Sequence, residues 1–196
     1  MRKIFLSLRA LFVAWVYALA LPAMAQTTPA SNLSMGTGFV VADGLMVTAA
    51  HVLRDKDSVW VGPMEAKRWL RAQVVKVDEQ HDLALIAVKL DAPALSLARW
   101  SDVPNGLEVF VVGFPQPRLQ GLSKKITQGL INGNRSDRNE SFDSGYFQFS
   151  AEIQQGNSSG PIFSPDGLVQ KKLNALSVVE KTNDLPVNVS YGLKSS

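Results

Sequence analysis

The chain has 196 residues, 46% of them hydrophobic and 19% charged, which suits one domain or two small ones and is too apolar for a disordered chain. With no Cys and two His, it has no disulfide frame, no iron–sulfur cluster and no thiol nucleophile, and a structural zinc would have to draw most of its ligands from carboxylates. The net charge of +3 resides in Arg2, Lys3 and Arg9, inside an acid-free stretch of 25 residues; the remainder of the chain carries 17 basic and 17 acidic side chains, which removes the electrostatic case for nucleic-acid binding.

Residues 1–25 read as an address. A basic start is followed by twelve uninterrupted apolar residues, Ala10 to Leu21, then Pro22 and the small-x-small triplet Ala23-Met24-Ala25. This is the layout of a secretory signal peptide cleaved before Gln26. A membrane anchor is the alternative, but Arg9 interrupts the longer stretch from Ile4, and a span needs about 20 apolar residues. The expectation is a periplasmic or secreted protein with no stable membrane anchor after cleavage, its stability resting on its core rather than on covalent staples.

After a polar leader at 26–33, the chain reads as all-β. Short segments rich in Val, Ile and Leu, set between Gly, Pro, Asn and Asp, predict strands at Thr37–Val41, Leu45–Thr48, Ser58–Val61, Ala72–Val77, Leu83–Val88, Glu108–Gly113, Gly145–Ser150, Pro161–Phe163 and Val187–Tyr191. Asp43-Gly44 and Asp166-Gly167 are hairpin signals. One short helical turn is expected at Ala49–Leu53, a mobile surface loop at Asn132–Ser144, and a joint between two halves within Leu97–Gly106. That division places one barrel over 34–105 and a second over 106–196.

Three stretches carry chemistry. In the first, two strands and a hairpin lead to His51, flanked by small Ala49 and Ala50 that leave room for an imidazole to face a cleft. A lone His is more often structural, and the Gly36-Thr37-Gly38 before it is only a weak phosphate-loop signal. In the second, Asp82 opens an apolar strand on the face of Ala84, Ile86 and Val88, where a carboxylate is costly without a partner. His51 would supply one; the alternative is a wet acid ending a turn. His81 would point to the opposite face. In the third, Gln154-Gln155-Gly156-Asn157-Ser158-Ser159-Gly160-Pro161 sets Ser158 in a Gly-bounded turn just before a strand, with the Gly156 and Ser158 N–H groups suited to an oxyanion hole. A Ser-rich linker is the plain alternative. The chain order His, Asp, Ser is one of the three known for such triads.

These stretches, with Val112–Pro115, Ile126–Ile131, Gln148–Ile153 and Asn188–Tyr191, resemble the trypsin-like serine peptidases, most closely their bacterial HtrA-like branch, over most of residues 34–196. The resemblance implies two packed antiparallel β-barrels with the active site in the cleft between them. It implies a triad of His51, Asp82 and Ser158, an oxyanion hole at Gly156 and Ser158, polypeptide substrates, and no metal or organic cofactor. It also implies a substrate-binding set of Glu152, Ile153, Asn174 and Ala175. Glu152 would favour basic substrate side chains and Ile153 small or apolar ones, with a slight lean to the latter. Asn157 stands where many digestive relatives have Asp, so the ion pair with a freshly cut N-terminus is not expected.

Two departures bear on activity. Ser159 replaces a Gly of the family pattern. The strand around Val169–Leu173 reads several residues short, with Lys171 and Lys172 intruding, which puts the last barrel layer in question. Two functions are compatible with this pattern: a serine endopeptidase working through an acyl-enzyme, or a catalytically impaired trypsin-fold protein that binds polypeptides or partners without cleaving them.

Overall fold

The apolar segments pair into two closed antiparallel sheets in the computed structural model, which describes residues 13–18, 34–62, 69–97, 103–121, 123–136, 143–157, 159–166, 172–173, 175–178 and 189–194. The first sheet contains β1 (Val13–Ala18), β2 (Ser34–Ala42), β3 (Leu45–Ala49), β4 (Ser58–Gly62), β5 (Leu70–Asp78) and β6 (Leu83–Ala87). Its order is β1-β2-β3-β6-β5-β4, closed by pairing of β1 with β4. Next come α1 (Ala50–Leu53), between β3 and β4, and β7 (Ser96–Leu97). The second sheet contains β8 (Glu108–Gly113), β9 (Lys125–Ser136), β10 (Asp143–Phe149), β11 (Pro161–Phe163), β13 (Ala175–Val178) and β14 (Ser190–Lys194), in the order β10-β14-β13-β11-β8-β9. A short α2 (Pro117–Gln120) follows β8, and β12 (Lys172–Leu173) pairs in parallel with β7 outside both barrels.

Alternation explains why these segments are strands. In β6, Ala84 and Ile86 are buried while Leu83, Leu85 and Ala87 are half-buried; in β4, Val59 and Val61 take the inward positions. The first barrel closes over Met46, Val52, Leu53, Val59, Val61, Ala72 and Ile86, and the second over Val109, Val111, Ile131, Phe147, Phe149 and Ile162. A third cluster, Phe39 and Leu95 with Val112, Phe114 and Phe163, joins residues of both and welds the barrels together. Burying a side chain of this size fully contributes about 1.5–3 kcal/mol.

Several expectations are corrected. The segment Asn132–Ser144 is not all loop, because β9 runs through Ser136 and β10 starts at Asp143, so strand pairing continues into it (Asp143 opposite Ser136). The last barrel layer is present: β13 pairs with both β11 and β14, and Lys172 lies in the separate β7–β12 pair rather than in the barrel wall. Leu83–Val88 becomes a strand one residue shorter, and neither His81 nor Asp82 is in it; both occupy the turn before β6. The Asp43-Gly44 hairpin forms with Gly44 at φ +72°, whereas Gly167 of the second hairpin signal lies outside the described residues. Apart from these corrections, Val13–Ala18, within the apolar run of the address, forms β1, opposite both β2 and β4. Alternating Val, Trp and Tyr suit a pleated strand as well as an apolar targeting core.

Candidate active site

Register brings His51 to Asp82. β3 pairs with β6 so that Ala49 lies opposite Leu83, and continuing both chains by one turn puts α1 beside the turn that holds Asp82. The backbone makes the approach directly: the Ala50 N–H donates to the Asp82 carbonyl at 3.1 Å. Gly36 allows α1 to settle there, since a Cβ on Gly36 would stand 2.5 Å from Val52 Cγ2. Asp82 adopts φ +53°, a left-handed conformation that Asp tolerates better than most residues, and this turns its carboxylate back onto α1 instead of into the core with Ala84 and Ile86.

The carboxylate grips His51 at two points. Oδ1 accepts the His51 backbone N–H at 2.8 Å, and Oδ2 lies 2.5 Å from Nδ1. The two side chains keep 28% and 34% of their surface, so the pair sits at the edge of water rather than in the core. A carboxylate on Nδ1 selects the tautomer with its proton there and leaves Nε2 as the basic nitrogen.

His81 is held elsewhere by the same kind of grip. Its Nδ1 lies 2.9 Å from Asp78 Oδ2, and its backbone N–H donates to Asp78 Oδ1 at 3.2 Å. The side-chain hydrogen bond holds the Asp78 carboxyl below the usual carboxylate range. His81 therefore stays apart from Asp82 because of a local turn, not because of strand alternation.

The second half of the site is the turn 154–160. Asn157 N–H donates to Gln154 O at 2.9 Å, Gly160 N–H to Asn157 O at 2.7 Å, and Gln116 N–H to Gln155 O at 2.7 Å. Because a trans peptide points its carbonyl and N–H in opposite directions, the last bond turns the Gly156 N–H away from Gln116. Gly156 takes φ +100°, and a Cβ there would collide with the Phe114 carbonyl, so no other residue fits. Asn157 is buried beside Gly113, whose own Cβ would meet Asn157 Oδ1 at 2.6 Å. Ser158 lies outside the described residues, between Asn157 and Ser159.

Ser159 is buried and adopts φ +63°. A non-Gly residue held there costs about 1–2 kcal/mol. Ser159→Gly is therefore expected to stabilise the fold by about 1 kcal/mol, read as a higher urea midpoint at an unchanged slope; a lower midpoint would show that the Ser159 hydroxyl contributes more than its backbone costs.

The barrels meet at this turn through Thr37, a buried β2 residue whose hydroxyl donates to the Gly156 carbonyl at 2.6 Å and accepts from Phe114 N–H at 3.3 Å. Thr48, three residues before His51, donates to the Thr37 carbonyl at 2.9 Å. Sequence reasoning passed over both threonines; the available signal was a hydroxyl on the inward side of an apolar strand.

Of the other expected site residues, Glu152 is exposed and accepts from the Gln154 amide at 2.8 Å, while Ile153 is half-buried against the core of the second barrel. Ala175 opens β13 opposite Ile162 and Lys194, and Asn174 lies outside the described residues. Among the described residues no cluster of His, Asp and Glu could hold a metal ion. No helix among them is long and apolar enough to cross a membrane.

The family model for the trypsin-like peptidase domain matches residues 36–169. The mouse serine protease HTRA4 is 36% identical over 153 residues, 74% of this chain and 30% of that protein. A probable periplasmic serine endoprotease, DegP-like, of Hahella chejuensis is 34% identical over 144 residues, 72% of this chain and 29% of that protein. The chain thus spans about a third or less of the curated relatives it matches. Among solved structures, the HtrA-type protease AlgW with tripeptide superposes with TM-score 0.72 at 21% identity, covering 93% of this chain and 56% of that one. The inactive form of the Rv3671c protease gives 0.69 at 22%, covering 93% and 83%.

Proposed function

We propose that this chain, which belongs to the trypsin-like peptidase family, is a serine endopeptidase acting on polypeptides through Ser158, His51 and Asp82. The observation that carries the reading is the two-point grip of Asp82 on His51, with Nδ1 at 2.5 Å from the carboxylate, because it leaves Nε2 as the base.

His51 Nε2 takes the Ser158 hydroxyl proton as the oxygen attacks a peptide carbonyl, and the resulting imidazolium is stabilised by Asp82. The Gly156 and Ser158 N–H groups receive the developing oxyanion, each worth about 3 kcal/mol in comparable sites. Imidazolium returns the proton to the leaving amine, the acyl-enzyme forms, and water activated by the same base releases the second product. Ile153, half-buried beside the turn, favours small or apolar substrate side chains over the basic ones that Glu152 would attract, because the Glu152 carboxylate is exposed and engaged by Gln154.

A fluorophosphonate probe tests the reading. Labelling at Ser158, located by peptide mass spectrometry and abolished in His51→Ala, is expected. Folded protein that takes no label would instead support the polypeptide-binding alternative, which the left-handed Ser159 favours.

Export is proposed on the basic start and small-x-small triplet of residues 1–25, and a relative is itself named periplasmic. Removal before Gln26 would take β1 away and leave the backbone edges of β2 and β4 facing each other. The same residues cannot both be discarded and close the barrel. N-terminal sequencing of the protein from the extracytoplasmic fraction is expected to begin at Gln26; a chain that retains Val13–Ala18 overturns the cleavage.

A further inference from the structure

We propose that Thr37 is a positioning residue, setting the Gly156 peptide and thereby the catalytic turn relative to His51; the inference rests on the peptidase reading above. His51 and Asp82 belong to the first barrel, whereas Gly156, two residues before Ser158 in sequence, belongs to a turn of the second, so catalysis depends on how the two barrels are keyed together. The Thr37 hydroxyl bridges them. It accepts from Phe114 N–H at 3.3 Å, which orients its own proton toward the Gly156 carbonyl at 2.6 Å, across 119 residues of sequence. The group is fully buried, so no water stands ready to replace it.

The consequence is a peptide plane held at both ends. The Gly156 carbonyl is fixed by Thr37, and the following Asn157 N–H is fixed by the Gln154 carbonyl at 2.9 Å. That plane leads directly into Ser158. The preceding plane is fixed through Gln155 O and Gln116 N–H at 2.7 Å, so its Gly156 N–H inherits its direction from the same anchorage. On the other side of Thr37, its carbonyl accepts from Thr48 at 2.9 Å, in the strand that ends two residues before His51. Two hydrogen bonds thus join the strand that leads into α1 and its base to the turn before the nucleophile. A buried hydroxyl suits this because it donates and accepts at once, whereas Val of the same shape does neither. Removing it leaves the Gly156 carbonyl and the Phe114 N–H to find other partners by moving.

The test compares Thr37→Val, Thr37→Ser and Val59→Ala, the last a core truncation in β4, outside both α1 and the 154–160 turn. Thr37→Val is expected to lower kcat about 10- to 100-fold with KM changed less than about threefold, since a displacement of about 1 Å costs about a hundredfold. Thr37→Ser, which keeps the hydroxyl, is expected to restore kcat to within about threefold. Val59→Ala is expected to lower the thermal midpoint while leaving kcat unchanged. Hydrogen exchange measured by mass spectrometry on the peptide covering 154–160 supplies a readout independent of turnover: faster in Thr37→Val, unchanged in Thr37→Ser. Equal loss of kcat in Thr37→Val and Val59→Ala, or unchanged exchange in Thr37→Val, overturns the inference even when the wild type is an active peptidase. Conversely, a wild type that neither cleaves nor labels refutes the peptidase reading and the catalytic role of Thr37 with it, whatever the exchange shows.

Discussion

The Asp82→Asn variant is expected to lose about 10⁴-fold in kcat while folding normally. The backbone reason for normal folding is the left-handed φ of +53° at this position, which Asn tolerates at least as well as Asp. An amide can still accept the His51 N–H now held at 2.8 Å by Oδ1. What it cannot do is present a second acceptor to Nδ1. Its NH₂ group would face that nitrogen and select the opposite tautomer, with the proton on Nε2, where the base is needed. The loss therefore falls on kcat, and the thermal midpoint is expected to stay within a few degrees of the wild type. Steady-state kinetics on a peptide ester, beside a circular dichroism melt, measures both. A variant that keeps a tenth of the wild-type rate would show that the carboxylate positions α1 without directing the base.

Gly156→Ala is the second severe substitution. The added methyl would meet the Phe114 carbonyl oxygen and would force a side chain onto φ +100°. Holding such a backbone costs about 1–3 kcal/mol, and the simplest relief is rotation of the peptide. Rotation breaks the Thr37 and Gln116 bonds and carries the Gly156 N–H off its line. Losing one such donor lowers kcat about 10²–10³-fold. The rate of fluorophosphonate labelling is expected to fall in parallel, and a labelling rate within threefold of the wild type would remove Gly156 from the oxyanion hole.

How much of this was legible from residues alone differs from element to element. The strands β2 to β6 and β8 could be read within one to three residues, because period-two burial and turn residues such as Asp43-Gly44 are local properties. β9 was read only in part, and only through resemblance: its last residues looked like loop, since Asn132, Asn134, Arg135 and Ser136 are polar. Pairing with β8 and β10 decides that they are extended. For β13 the intruding lysines misled, because composition cannot tell that Lys172 leaves the barrel for a short pair with β7 while Ala175–Val178 closes it.

At the site, residue types and their order named His51, Asp82 and Ser158, and the pairing of the first two follows from a register that places Ala49 opposite Leu83. By itself the amino-acid order nominated the side chains proposed for the chemistry, since only so many bases, acids and Gly-bounded nucleophiles were present to choose from. The tertiary structure alone decided what holds them in place: the left-handed turn at Asp82, the diversion of His81 to Asp78, and the Thr37 bridge between barrels. The reason is that hydrogen bonds between residues 119 apart leave no periodic trace in a sequence. They exist only once two closed sheets have packed through Phe39, Leu95, Val112, Phe114 and Phe163.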